Sequence, residues 1–107
     1  MKKPGFFRAA ALAALLAAGA AHAAGKSHTV TIEGMKFVPE RLEVAPGDTV
    51  TWVNKDFVPH TVTAAKQHLE SGELPQGKSW KYKARAKGKI DYICRLHPVM
   101  HGVLVVK

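Results

Sequence analysis

A single cysteine, Cys94, stands in this chain of 107 residues, so no internal disulfide can brace whatever it folds into. The constraint bites because the folding unit is small. Lys2, Lys3 and Arg8, the alanine- and leucine-rich run 9–21 and then Ala21-His22-Ala23 read as an export signal with a small-residue cleavage site. The apolar run is shorter than the roughly 20 residues a bilayer crossing needs. Residues 1–23 are therefore expected to be removed on export to the periplasm, with no membrane insertion afterwards. Residues 24–107, about 84 in number, are expected to fold as one domain. Domains this small lean on disulfides or on a metal. With the first excluded, a metal is the expected staple.

The remaining pattern is short, alternating and interrupted by turns, with no helical period. Thr29–Ile32, Leu42–Val44, Thr49–Asn54, His60–Thr63, Ser79–Lys83, Ile90–Cys94 and Val103–Val106 read as strands, and residues 66–77 as an irregular crossing. Seven or so short strands with turns every eight to twelve residues predict an all-β sandwich or barrel. Alternation places Val50 with Trp52, Trp80 with Tyr82, and Ile90 with Tyr92 and Cys94. The expected core is Ile32, Leu42, Val50, Trp52, Trp80, Tyr82 and Ile90.

Cys94 opens the run Cys94-Arg95-Leu96-His97-Pro98-Val99-Met100, and His60 follows Pro59 far upstream. Each alone has an ordinary explanation: a buried thiol, a core methionine, a surface imidazole. Together they supply one thiolate, two imidazoles and one thioether, the donor set of a blue-copper centre. Cu(I) favours soft sulfur and low coordination, Cu(II) favours nitrogen in a tetragonal field, and this set suits both incompletely. His60, Cys94, His97 and Met100 are thus the candidate ligands of one copper ion. Cys94 ends a strand, and a tight loop restrained by Pro98 would fold His97 and Met100 back over the metal. His28, His68 and His101 lack such context and are read as exposed.

The formal charge is +8, and removing Lys2, Lys3 and Arg8 leaves +5. Lys78, Lys81, Lys83, Arg85, Lys87 and Lys89 crowd one acid-free stretch. Period-two spacing turns such residues outward as a solvated strand face; the functional alternative is a surface that steers an acidic partner. Export removes nucleic acid as a target.

Met35-Lys36-Phe37, the run Gly47-Asp48-Thr49-Val50-Thr51-Trp52-Val53-Asn54, Pro59-His60, and Tyr92-Ile93-Cys94 through Met100-His101-Gly102 resemble the cupredoxin family, its small amicyanin and plastocyanin-like members above all. The two-residue gap between His97 and Met100 is similar to the amicyanin loop. The resemblance implies an eight-strand Greek-key sandwich and one type 1 copper. It implies single-electron shuttling by a monomer between redox proteins such as a quinone-containing amine dehydrogenase and a c-type cytochrome. It also implies electron passage through the edge of His97 and an apolar patch, here Val58, Pro59, Pro98 and Val99. Release of His97 from copper on reduction belongs to the same resemblance. One departure is Thr61, where the family commonly has asparagine; its amide and hydroxyl are left to serve the thiolate and bridge the loops.

A copper chaperone or buffer is the competing reading, but such proteins offer methionine-rich sites, and this chain has three methionines including Met1. A zinc site would use the same donors without redox chemistry. An enzyme is not expected: multicopper relatives need a histidine beside the cysteine, and Ile93 and Arg95 flank Cys94.

Overall fold

The computed structural model describes residues 25–107; the export signal expected over residues 1–23 lies outside the described residues. Nine strands run β1 (Ser27–Ile32), β2 (Phe37–Val38), β3 (Arg41–Val44), β4 (Thr49–Asn54), β5 (Thr63–Ala64), β6 (Leu69–Glu70), β7 (Ser79–Lys83), β8 (Gly88–Cys94) and β9 (His97–Val106). A 3-10 turn at Ala65–Gln67 is the only helical element among the described residues. One sheet has the order β2-β1-β4-β7 and the other β3-β9-β8-β5-β6. The chain passes repeatedly from one sheet to the other, so their inner faces close on one core.

The all-β expectation holds, with one strand more than the eight implied by the resemblance. The difference lies in two-residue pieces, β2, β5 and β6, too short to announce themselves by alternation. The expected strand His60–Thr63 is shorter than read. Only Thr63 and Ala64 form a ladder strand, while His60 makes an isolated bridge with Leu74. The closing strand is longer, because β9 begins at His97 rather than Val103.

Alternation decides what is buried. Val50, Trp52 and Asn54 point inward from β4, and Ile90, Tyr92 and Cys94 from β8. Trp52 fills the centre at 0 % exposure, with its ring 5.5 Å from that of Tyr92 at nearly a right angle. Its Nε1–H donates to the Tyr92 hydroxyl at 3.2 Å. Burial pushes the Tyr92 phenol up to about 12, with the Trp52 donor acting the other way. Gly102 lies opposite Tyr92 in the ladder, and a Cβ there would meet the tyrosine ring at 2.4 Å, so the aromatic core needs a glycine on β9.

Leu42, Trp80 and Tyr82 pack against this core but stay half-buried. The reason is position: β3 and β7 are edge strands, covering the margin of the core rather than its centre. On β7 the lysines Lys81 and Lys83 alternate with the two aromatics and face solvent, the charged pattern that guards an edge strand against pairing with other chains.

Candidate metal centre

The site forms where β8 ends and β9 begins. Arg95 and Leu96 make the turn, and Cys94 pairs directly with His97. The next ladder pair is Ile93 with His101, so Pro98, Val99 and Met100 have no partners on β8. This bulge bends β9 at the hairpin tip. The expected tight loop is therefore a bulged hairpin. It brings back His97 half-buried and Met100 at 3 % exposure.

His60 comes from the other side, held through its backbone. Its amide donates to the Leu74 carbonyl at 3.2 Å and its carbonyl accepts from the Leu74 amide at 2.8 Å. The buried Asn54 amide group secures the same loop, donating to the carbonyls of Val58 at 2.9 Å and Leu74 at 2.8 Å. Its oxygen accepts from the Asp56 amide at 2.9 Å.

Donor atoms of His60, Cys94 and His97 all lie within 4.8 Å of one another. The Cys94 Sγ stands 3.6 Å from His60 Nδ1 and 3.8 Å from His97 Nδ1. Sulfur and nitrogen donors sharing one ion at roughly 2.3 and 2.0 Å and trigonal angles would stand about 3.7 Å apart. The spacing and chemistry of the donors fit a single metal ion. His28 and His101 are elsewhere, paired with Asp48 at 2.9 Å and Glu40 at 3.0 Å. His28 is half-buried rather than exposed, because that carboxylate draws it in.

Three features of the surroundings tune the donors. His60 Nε2 meets Asp56 Oδ2 at 2.8 Å; with Nε2 donating, Nδ1 presents its lone pair toward Cys94. Asp56 also accepts from the amides of Gly34 at 2.8 Å and Met35 at 3.0 Å, both in left-handed backbone with φ of 64° and 60°. Burial alone would raise the Asp56 carboxyl, but the Met35 and Gly34 amides and His60 outweigh it and hold it below the ordinary value. The Thr61 amide donates to Cys94 Sγ at 3.3 Å, and the Thr61 hydroxyl accepts from the Arg95 amide at 2.9 Å. The threonine thus does both things its sequence position left open.

Sequence reasoning missed Asp56 and Asn54, although a carboxylate four residues before His60 is a visible signal. It also missed Phe57, the most exposed large apolar side chain among the described residues at 90 %. Val99 is 88 % exposed, Val58 is 42 % exposed, and Pro59 and Pro98 are exposed, as expected of an apolar rim. No buried side-chain nitrogen or oxygen lacks a partner among the described residues.

The chain is similar in sequence and fold to known proteins. The cupredoxin-like domain family matches residues 6–106. Amicyanin-alpha of Methylorubrum extorquens is 36 % identical, covering 92 % of this chain and 95 % of its own. Amicyanin of Paracoccus denitrificans is 32 % identical, covering 82 % and 71 %. A solved copper(I) form of an amicyanin variant superposes with a TM-score of 0.73 at 32 % identity, over 82 % of this chain and 89 % of that one. A copper-containing nitrite reductase from Thermus scotoductus also matches, TM-score 0.71 at 26 % identity, but over 22 % of its own length. The cofactor of such domains is one type 1 copper ion, and the sulfur and nitrogen donors gathered here fit it. The chain belongs to the cupredoxin-like domain family.

Proposed function

We propose that this protein carries single electrons between redox proteins of the periplasm, with one type 1 copper held by His60, Cys94, His97 and Met100. The observation that carries the reading is the convergence of Cys94 Sγ with two imidazole Nδ1 atoms at 3.6 and 3.8 Å. Bound copper supplies a one-electron couple between Cu(I) and Cu(II). The protein supplies a preformed cage. His60 is pinned by Leu74 and Asp56, and the bulged hairpin fixes Cys94, His97 and Met100 from the other side. The burial of Met100 near the hairpin bulge supports it as the residue that would offer the ion a thioether. The Thr61 N–H spreads thiolate charge without adding a fourth strong donor.

The half-buried His97 ring is the exit, and Phe57, Val58, Pro59, Pro98 and Val99 form the dry rim through which a partner approaches. The amicyanin relatives favour an amine dehydrogenase with a quinone cofactor as donor and a c-type cytochrome as acceptor. Export by residues 1–23 and action as a monomer complete the reading. Cys94 is flanked by Ile93 and Arg95, so no neighbouring histidine links it to a second copper, and the nitrite-reductase likeness supports no enzymatic role. Voltammetry of the loaded protein combined with copper transfer to a chelator tests the carrier. The expected result is a reversible one-electron wave with slow release. An irreversible wave with release in seconds would instead mark a chaperone.

A further inference from the structure

We propose that Glu70 and Thr63 are positioning residues for the copper loop, acting through a one-way chain of hydrogen bonds that ends on Arg95. The inference rests on the electron-carrier reading. Five contacts form the chain. The Arg95 amide, next to Cys94, donates to the Thr61 hydroxyl at 2.9 Å. The Thr61 and Thr63 hydroxyls meet at 2.9 Å. Thr63 donates to Glu70 Oε1 at 3.0 Å, and the same oxygen accepts Arg95 Nε–H at 3.1 Å. Glu70 Oε2 accepts from the Gly72 amide at 2.7 Å.

The direction of each proton follows from chemistry. An ionised carboxylate only accepts, and Glu70 is ionised near neutrality. Burial opposes ionisation, but Arg95, the Gly72 amide and Thr63 together keep the carboxyl below its ordinary value. The Thr63 hydrogen therefore points at Glu70, which leaves Thr63 an acceptor toward Thr61. The Thr61 hydrogen points at Thr63, which leaves Thr61 an acceptor toward the Arg95 amide. No hydroxyl in the chain can reverse without leaving two donors facing each other. Aligned hydrogen bonds polarise and strengthen one another.

The chain closes into a ring, because Arg95 enters it twice: by its backbone at one end and by its guanidinium at the other. The ring clasps β5, β6 and the turn after Cys94. It also fixes Thr61, whose amide donates to the thiolate sulfur. The ring thereby ties the segment after His60 to the turn after Cys94. Thr63 and Glu70 hydrogen-bond through their side chains to none of the proposed ligands, so their effect on the centre is transmitted.

Thr63→Val removes the hydroxyl while keeping shape and strand preference, Glu70→Gln removes the charge, and Thr63→Ser restores the hydroxyl. Two rates are read well below the melting temperature: alkylation of Cys94 by iodoacetamide in the apoprotein, and copper release from the loaded protein to a chelator. Thr63→Val and Glu70→Gln are expected to raise both by about 10-fold, the scale of lost outer-sphere partners, with Thr63→Ser near the parent. Lower melting temperatures with both rates unchanged would overturn the proposal, since the two residues would then be structural only. Faster alkylation in a protein that takes up no copper would keep the clasp and sink the carrier reading.

Discussion

Asp56 shows how one side chain sets the state of a ligand. It is anchored by two amides of a left-handed turn and by Asn54 beneath its own backbone, so its carboxylate is in place before any metal arrives. Replacing it with alanine frees His60 Nε2 and lets the ring choose its tautomer. Copper affinity is expected to fall by about 10–100-fold, measured by competition with a chromophoric chelator. Unchanged affinity would remove Asp56 from the site. Cys94, His97 and Met100 stood out in the sequence by their three-residue steps in a chain with no other thiol, and His60 by its place after Pro59. Asp56 and Asn54 were not, since an acid or amide in a polar loop looks like every other loop residue until the fold closes around it.

At the scale of elements, two joints carry testable stability. Asp48 ties the start of β1 to the turn before β4, with Oδ1 accepting from the Lys26 amide at 2.9 Å and Oδ2 from the Ala45 amide at 3.0 Å. These amides and His28 lower its carboxyl from the ordinary 3.8 to about 2. A depressed acid stabilises the fold above its unfolded value, and that stabilisation disappears as pH falls through the folded one. Asp48→Asn is thus expected to melt below the parent at pH 7, with the gap narrowing from about pH 4 toward about 2. A gap that stays constant across that range in thermal melts would disprove the link. The second joint is Gly102 under Tyr92, where alanine forces the ring aside. A loss of about 1–3 kcal/mol in denaturant unfolding is expected, the usual cost of overpacking; a neutral result would show that the ring has room. Long alternating strands such as β4 and β8 were readable from residue period alone. The bulge in β9 and the isolated bridge at His60 were not, because both depend on a partner strand distant in sequence.

The described part of the molecule separates apolar from basic surface along β8. Its copper end is ringed by Phe57, Val58, Leu96 and Val99, all exposed, whereas Arg85, Lys87 and Lys89 line a pocket of about 390 Å³ where β8 begins. β8 runs from that basic region to Cys94, about 20 Å at the rise of a strand. Electron exchange is expected at the apolar end, with the cations at most steering the approach. Val99→Lys or Phe57→Lys should slow exchange with a redox partner while leaving the copper spectrum intact, as stopped-flow mixing would show. An unchanged rate would take the rim out of the mechanism. The sandwich was foreseeable from short strands and frequent turns. Phe57 was not, because nothing in a sequence says which apolar loop residue will find no core to enter.

On the proposed reading, Cys94 Sγ and the Nδ1 atoms of His60 and His97, with the thioether of Met100, hold one copper ion. A titration of the purified apoprotein with copper(II), followed by visible absorption, tests it most directly. An intense thiolate-to-copper band in the red is expected, saturating at one equivalent and lost in Cys94→Ser. A solution that stays colourless, or a band that survives without the thiol, would contradict it.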